Sequence, residues 1–392
     1  MPVHILVECP ALIASVRVGV LDPLKPLEDQ GKCNIKFIKT VQIKKKDICW
    51  SDILVSVRGF EKISADIARV AKQAGRFVIY FLDDDLLNIP DDVGSKKYFS
   101  DPERRQALHD IISLSDVLWC VNSKLGEKYS KIFNNKKWVL ERVPVSAPLV
   151  SNSTIEHNQV NVLYAGSSDH TPIIREYISP VVDHISKEFG SSVFFTFIGV
   201  DPGLPENKSV EYIKFFDSYD DYCLFLSEKS FDIGLAPIRT SEFYQCKYYN
   251  KYVEYSKLGV VGLYTNIAPY TLVVHNGVNG FLCDNTFDDW YNTLKKVIED
   301  KMLRKNKAKV AQNDLRENFS NQAVLTQLLA DIPELEGYYA QFVRPMKIHL
   351  GNPFIHFYSG RLQLLLKGKG LKAIPIIFLK AFRKFIKIIN RR

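Results

Sequence analysis

Residues 231–265 read FDIGLAPIRTSEFYQCKYYNKYVEYSKLGVVGLYT. The stretch begins with a short apolar run, Asp232–Ala236, and ends with a second one, Val261–Thr265. Between them, Lys247–Leu258 has helical spacing, and Gly259 follows as a helix terminator. A strand, a helix and a second strand in this order indicate a βαβ unit, whose strands pair in parallel within a buried sheet.

The same alternation extends from this unit in both directions and predicts two series of strands. The first series comprises Val3–Cys9, Ile35–Ile38, Asp52–Val57, Phe77–Leu82, Val117–Val121 and Lys137–Leu140. The second comprises Val160–Ala165, Phe194–Gly199, Glu211–Phe215, Asp232–Ala236, Val261–Thr265 and Phe281–Cys283. Helices are predicted between them, among others at Ser64–Ala74, Pro102–Leu114, Ile173–Glu188, Tyr219–Lys229 and Phe287–Glu299, and then onward to about Leu335.

These two series predict an α/β protein with two Rossmann-like parallel-sheet domains facing a cleft. A segment rich in Pro, Ser, Asn and Thr, Pro144–Gln159, is typical of an interdomain linker. We therefore expect one domain over residues 1–150, a second over 160–335, and a tail over 345–392. Parallel sheets of this kind bind ligands beyond the carboxyl ends of their strands, so the cleft is the predicted site.

The composition indicates a globular protein. The chain has 392 residues, of which 46% are hydrophobic and 24% charged, and this length suits two domains. Its seven cysteines are scattered without a C-x-x-C pair, so we expect neither a disulfide framework nor a zinc site. We see no secretory signal and no apolar run of about 20 residues, and we expect a cytoplasmic protein.

Several segments resemble the donor half of the "glycosyl transferases group 1" family. They are Phe231–Pro237, Phe243–Gly259 and Asn276–Leu282, with Tyr164–Ser168 and Ile198–Val200 similar to its opening turn and third-strand element. The resemblance covers Val160–Asp300 well and the first half more loosely. It implies the GT-B fold, a nucleotide-sugar donor in the second domain, an acceptor in the first, and no required metal or other cofactor.

The donor site is predicted on the helix of the opening stretch. Lys247, Lys251 and Glu254 are spaced i, i+4, i+7 and would share one helix face. Cations near a helix N-terminus suit a diphosphate, while Glu254 suits ribose hydroxyls. The alternative is a solvated face with an internal Lys–Glu pair. Gly166 and Ser167, in the opening turn, complete the predicted donor set.

The chain departs from the family pattern at two places. Cys246 stands where the family has a second glutamate, eight positions before the ribose-binding one. Ser167–His170 replace the usual basic pair, so Lys247 and Lys251 would supply the phosphate charge. Retention or inversion at the sugar therefore stays open.

Three carboxylates, Asp83-Asp84-Asp85, follow the predicted strand Phe77–Leu82. Adjacent carboxylates repel, so their presence suggests contacts with hydroxyls or cations. We predict that Asp83 and Asp84 bind the acceptor and that Asp85 acts as a catalytic base. A metal site is disfavoured because the triplet lies in the half without the nucleotide motif, and a polar turn that caps the next helix is the alternative.

Three further side chains of the first half are candidates. Arg17 and Arg58 lie near strand ends and would bind an acceptor phosphate bidentately, unless they form surface ion pairs. His109 is a second catalytic candidate, since the family's catalytic histidine comes from this half, and a partly buried structural histidine is the alternative.

The tail carries much of the formal charge of +8. From Pro345 to Arg392 there are eleven Lys or Arg and no Asp or Glu, against 41 basic and 44 acidic residues in the rest. Within residues 371–392 the apolar residues Leu371, Ile374, Phe378, Phe382, Phe385 and Ile389 share one helical face, opposite Lys380, Lys384, Lys387 and Arg391. An amphipathic helix of this kind suits an anionic membrane surface better than nucleic acid, where Arg and exposed stacking aromatics are preferred. Packing of the tail on the body of the protein is the alternative.

Together these features predict a glycosyltransferase at the inner face of the cell membrane, acting on a lipid-linked or surface-polysaccharide acceptor of a bacterial type. Two other functions remain open: a non-catalytic protein that binds a nucleotide or a glycan, and a nucleotide-sugar epimerase. The epimerase would have no use for a membrane tail.

Overall fold

The computed structural model describes residues 1–91, 93–145, 159–205, 209–216 and 218–340. Most of the predicted linker and the whole predicted tail, including the membrane-binding residues 371–392, lie outside this range.

Twelve strands form two six-stranded sheets within the described residues. They are β1 (Val3–Cys9), β2 (Cys33–Lys39), β3 (Ile53–Val57), β4 (Phe77–Leu82), β5 (Val117–Cys120), β6 (Trp138–Leu140), β7 (Val160–Ala165), β8 (Val193–Ile198), β9 (Val210–Ile213), β10 (Ile233–Ala236), β11 (Val261–Thr265) and β12 (Phe281–Cys283). Every predicted strand is present, with ends that agree to within two residues.

Within the same described residues, sixteen α-helical segments connect and follow these strands. They are α1 (Ala14–Val16), α2 (Asp22–Asp29), α3 (Lys45–Trp50), α4 (Lys62–Gln73), α5 (Lys96–Phe99), α6 (Pro102–Leu114), α7 (Ser123–Ile132), α8 (Thr171–Ile173), α9 (Ser179–Phe189), α10 (Tyr219–Glu228), α11 (Glu242–Gln245), α12 (Asn250–Leu258), α13 (Phe287–Glu299), α14 (Lys301–Asn318), α15 (Asn321–Asp331) and α16 (Glu334–Gly337). Two five-residue π-helical turns, Arg17–Leu21 and Ile174–Ile178, follow α1 and α8.

Both sheets are parallel throughout the described pairings, but their strand orders differ. The first has the order β2-β1-β3-β4-β5-β6, and the second β12-β11-β10-β7-β8-β9. The direction of winding reverses between β1 and β3 in the first sheet and between β7 and β10 in the second. Ligands bind beyond the carboxyl ends of the strands at such switch points, so the loops after these four strands are the expected binding loops.

The apolar runs of these strands are buried because helices cover both faces of each sheet. In β3 every residue is buried, and in β1 all but His4 are. The alternation of apolar runs and helical segments in the sequence therefore predicted the α/β fold class correctly. Strands of a sheet covered by helices on both faces are continuous apolar runs.

The helix predicted at Lys247–Leu258 begins three residues later, at Asn250. The side-chain amide of Asn122 donates to the carbonyl oxygens of Gln245, at 3.0 Å, and Lys247, at 2.7 Å. These carbonyls are therefore engaged by the first domain instead of starting a continuous helix. Lys247 lies in the turn before α12, and the expectation that it shares the helix face of Lys251 and Glu254 was wrong.

The last helices return to the first domain. Leu328, Ile332 and Leu335 belong to the same buried cluster as the core of the first sheet. Tyr338 Oη also donates to Gly75 O at 2.7 Å. Part of the range predicted for the second domain, from about α15 onward, thus packs on the first.

The sequence predicted no disulfide framework and no transmembrane helix. The seven cysteines, all within the described residues, are free. None of the helices that the structure describes is long and apolar enough to cross a bilayer.

Candidate functional site

The carboxyl ends of the two sheets meet in an ion pair between the domains. Lys247 Nζ lies 2.9 Å from Asp84 Oδ1, although 163 residues separate them in sequence. Both side chains retain between a fifth and a third of their exposure. The contact brings one predicted donor residue and one predicted acceptor residue together.

Arg58 joins the same cluster from the loop after β3. Its Nε lies 3.2 Å from Asp83 Oδ1, and its Nη2 lies 3.2 Å from Asp84 Oδ2. Its backbone φ is +52°, a left-handed conformation that is strained for a long side chain. Strained residues of this kind concentrate at functional sites. Arg58 is therefore an internal partner of the two aspartates and not a separate surface ion pair.

The two aspartates experience different surroundings. Burial raises the pKa of Asp83, opposed by the charge of Arg58. Burial would also raise the pKa of Asp84, but the charges of Lys247 and Arg58 outweigh it and hold that pKa below its ordinary value. The described residues contain no group of three His, Cys, Asp or Glu side chains placed to hold a metal ion. Cations of the chain itself contact these carboxylates.

Asp85 does not face the cleft. It is fully buried, and its carboxylate accepts from Asn88 Nδ2, at 3.0 and 3.1 Å, and from Tyr129 Oη, at 3.2 Å. Lys128 Nζ adds an ion pair at 2.8 Å. With its hydrogen-bonding capacity used within the protein, the Asp85 carboxylate stabilises the loop after β4. Because it is fully buried, it cannot contact a substrate.

His109 lies on the opposite side of the first domain from the cleft. It is exposed on α6, and its ring centroid is 5.2 Å from that of Phe133, just after α7. Helix α7 begins at the carboxyl ends of the strands and runs antiparallel to them, so its last residues lie at the amino ends of the strands. The structure therefore does not bring the second catalytic candidate to the site.

Arg17 opens the first π-helical turn and is exposed. The preceding Ser15 hydrogen bonds to Asp83 and lowers the pKa of that carboxyl against the larger effect of burial. The loop after β1 therefore borders the aspartate cluster, which places Arg17 near the acceptor side.

The predicted donor residues of α12 form a pair. Lys251 Nζ donates to Glu254 Oε1 at 2.6 Å, and each side chain keeps about a fifth of its exposure. The charge of Glu254 acts on Tyr164, Tyr255 and Tyr270, whose burial is the main cause of their raised pKa values. Glu254 is thus near three buried tyrosines, one of which, Tyr164, belongs to β7.

His170 is a site residue that the donor prediction did not include. Burial, followed by the charges of Lys247 and Lys251, lowers its pKa to about 4. The imidazole is therefore neutral at pH 7 and lies near both cations. The sequence signal that could have identified His170 was its position, which corresponds to the basic pair of the family.

Glycines shape the start of the second domain. Gly166 N donates to Ile198 O at 3.0 Å, and a Cβ on Gly199 would lie 2.2 Å from Gly166 O. That Cβ would also lie 2.9 Å from Cδ2 of Phe215, whose side chain is 65% exposed after β9. Ser167 follows as an exposed residue. This bare strip of backbone with an exposed aromatic ring at one end was not predicted.

No family model and no curated protein matches the chain. Solved structures do match it. HepE of Anabaena, in complex with UDP and glucose, is 15% identical, with a TM-score of 0.61 over 85% of this chain and 100% of that one. Sucrose-phosphate synthase of Thermosynechococcus elongatus is 12% identical, with a TM-score of 0.61 over 86% and 99%.

A glycosyltransferase of Rickettsia africae ESF-5 is 15% identical, with a TM-score of 0.58 over 85% of this chain and 98% of that chain. Identities this low establish architecture only. The two facing parallel-sheet domains and the cluster at their carboxyl edges therefore give this chain the GT-B fold, as the resemblance of its second half predicted.

Proposed function

We propose that the protein is a glycosyltransferase that moves a sugar from a nucleotide-sugar donor to an acceptor hydroxyl. The observation that carries the proposal is the pair Lys251–Glu254, which lies with Lys247 and Gly166 at the carboxyl edge of the second sheet. A carboxylate suits two ribose hydroxyls, and neighbouring cations suit a diphosphate.

The nucleotide is proposed to be a uridine diphosphate. The HepE structures contain UDP and UDP-glucose, and they share the fold of this chain. Lys247 and Lys251 would bind the diphosphate next to Gly166, with neutral His170 as a hydrogen-bonding partner. The sugar would then lie toward Asp83 and Asp84, which bind the acceptor with Arg58 and Arg17.

The reaction needs little from the protein beyond position and charge. The acceptor oxygen forms a bond to the anomeric carbon, and its proton passes to Asp83. The bond from that carbon to the diphosphate breaks, and its electron pair stays on the diphosphate oxygen. Lys247, released from Asp84, would stabilise the charge that develops there.

The acceptor is proposed to be lipid-linked or part of a surface polysaccharide, used at the inner face of a bacterial membrane. The basic amphipathic pattern of residues 371–392 supports this part. No metal or cofactor is proposed, because the site's own cations suffice to bind the diphosphate.

Replacing Glu254 tests the donor site. Glu254→Ala should weaken binding of UDP about tenfold to a hundredfold, since hydrogen bonds to a charged group contribute about 1.5–3 kcal/mol. Isothermal titration calorimetry measures the affinity. Glu188→Ala, which breaks the exposed Lys295 pair on the second domain, is the matched control and should bind normally. Unchanged affinity in Glu254→Ala would reject the assignment.

A panel of nucleotide-sugars separates the proposal from its rivals. A transferase should slowly hydrolyse one donor without acceptor, because water replaces the acceptor hydroxyl. An epimerase would convert the donor with no release of nucleotide. A non-catalytic binder would be stabilised by a nucleotide and leave every donor intact.

A further inference from the structure

The ion pair between Lys247 and Asp84 crosses the cleft at the place proposed for the donor. Lys247 Nζ lies 2.9 Å from Asp84 Oδ1, and the two side chains keep 28% and 21% of their exposure. Lys128 also pairs with a carboxylate of the triplet, Asp85, at 2.8 Å, but the Asp85 side chain is 0% exposed. A ligand that enters the cleft can therefore reach Asp84 and Lys247, whereas Asp85 is closed to it.

Two aromatic rings hold the ammonium group of Lys247 from the side of its own domain. Lys247 Nζ lies 4.6 Å from the centroid of the Phe243 ring and 6.0 Å from that of the Tyr244 ring. Both residues are buried, and the face of an aromatic ring attracts a cation. These rings belong to the same segment as Lys247, so they keep the ammonium group in place when its anionic partner changes.

Asp84 has a second cation on the side of the first domain. Arg58 Nη2 lies 3.2 Å from Asp84 Oδ2, while Arg58 Nε lies 3.2 Å from Asp83 Oδ1. Leaving a carboxylate without a partner in a partly buried place is costly. Because Arg58 remains beside it, Asp84 can give up Lys247 and still have a cationic partner.

The donor residues follow one another in the order of the parts of a nucleoside diphosphate. Lys251 Nζ donates to Glu254, the proposed ribose ligand, at 2.6 Å. The charges of Lys247 and Lys251 both act on His170, so the two cations lie near one imidazole. Lys247 in turn contacts Asp84 of the first domain. A ribose at Glu254 therefore places the inner phosphate beside Lys251 and the outer phosphate, which carries the sugar, beside Lys247.

We propose that the carboxylate of Asp84 holds the place of the outer phosphate, and that the donor takes Lys247 from Asp84 when it binds. Until then Asp84 keeps Lys247 at the cleft and competes with the donor for it. A phosphate group carries more negative charge and more acceptor oxygens than a carboxylate, so it wins this competition. Asp84 is thus a positioning residue that acts through Lys247. The inference rests on the proposed function, since it concerns the same donor site.

Removing the charge of Asp84 should strengthen the binding of UDP. In Asp84→Asn, Lys247 loses its internal anion, while Arg58 still pairs with Asp83. We expect the Kd for UDP to fall about two- to fivefold, the range that a partly exposed ion pair supports. Isothermal titration calorimetry measures the change. UMP has no outer phosphate, so it should bind to Asp84→Asn and to the unaltered protein with equal affinity.

Asp83→Asn is the matched control. It removes a carboxylate from the same cluster, but one that contacts Arg58. Its effect on UDP binding should be smaller, because a charge that does not contact Lys247 acts on it only at longer range. Equal gains in Asp83→Asn and Asp84→Asn would show a general effect of net charge and would overturn the proposal.

A double-mutant cycle tests the contact itself. Lys247→Met should weaken UDP binding, and adding Asp84→Asn to it should bring no gain, because the contested ammonium group is gone. A gain of the same size with and without Lys247 would contradict the competition. Weaker binding of both UDP and UMP in Asp84→Asn would assign the carboxylate a structural role and would equally reject the proposal.

The same titrations separate this inference from the proposed function. If neither the unaltered protein nor Asp84→Asn binds UDP, the donor site itself is rejected. If both bind UDP with the same affinity, the donor site stands and only the role of Asp84 is rejected.

Discussion

The ring of Phe215 is 65% exposed, although burying a phenyl group ordinarily stabilises a fold. It lies beside Gly199, and Gly199 lies beside Gly166. The three residues border a strip of backbone along the carboxyl edge of the second sheet, from Gly166 after β7 to Phe215 after β9, next to the side where the diphosphate is proposed. An aromatic ring there is suited to stack on a nucleobase.

Phe215→Ala should therefore weaken binding of UDP about tenfold, since base stacking on an aromatic contributes about 1–3 kcal/mol. Binding of inorganic pyrophosphate should be unchanged, because it has no base. Titration of both ligands measures the difference. Met302→Ala, which truncates another exposed apolar side chain on α14, should affect neither ligand. Equal losses for UDP and pyrophosphate would contradict the stacking role.

At the scale of elements, the turn between α11 and α12 depends on the first domain for its shape. Asn122 caps α7 by accepting from Leu125 N at 2.9 Å, and its amide nitrogen holds the carbonyls of Gln245 and Lys247. One buried side chain thus fixes a helix start in one domain and the turn that carries Lys247 in the other. The position of the Lys247 side chain follows from this backbone contact.

Asn122→Ser separates the capping of α7 from the hydrogen bonds to the turn before α12. Serine caps a helix about as well as asparagine, but it has no amide to reach the two carbonyls. We expect a loss of about 1–3 kcal/mol in the free energy of unfolding, because buried carbonyls lose their partners. UDP affinity should fall as well, since the turn carrying Lys247 is released. Thr286→Ser, at the cap of α13, should leave UDP affinity unchanged.

Across the cleft, polar contacts lie beside a buried hydrophobic cluster that contains residues of both domains. Lys128 pairs with Glu242 at 2.7 Å, and Lys124 Nζ donates to Gln245 Oε1 at 2.7 Å, beside the Lys247–Asp84 pair. Exposed ion pairs are weak and are screened by salt.

The basic segment at the end of the chain should act on the whole molecule's location and not on its chemistry. Removal of residues 371–392 should abolish sedimentation with vesicles that contain phosphatidylserine, because each cation near such a surface contributes about 1 kcal/mol. Hydrolysis of the donor should persist. Vesicles of phosphatidylcholine serve as the control, and equal binding of the truncated and full chains to anionic vesicles would contradict the membrane proposal.

The sequence by itself determined the class of fold and its order. Apolar runs mark strands buried on both faces, and such runs are local, so all twelve strands were predictable. The family resemblance also singled out Asn276–Leu282, where Gly277 has a φ of +70° and its N donates to Gly280 O. The Lys251–Glu254 pair follows from helical spacing alone.

Only the tertiary structure decided which polar residues meet. Asp83, Asp84 and Asp85 are adjacent in sequence, yet the first two face cations at the cleft and the third is buried among Lys128, Asn88 and Tyr129. His170 stands where the family has a basic pair, but no local pattern marked its neutral state. The protonation of this imidazole depends on burial and on the charges of Lys247 and Lys251, which only the tertiary structure brings close.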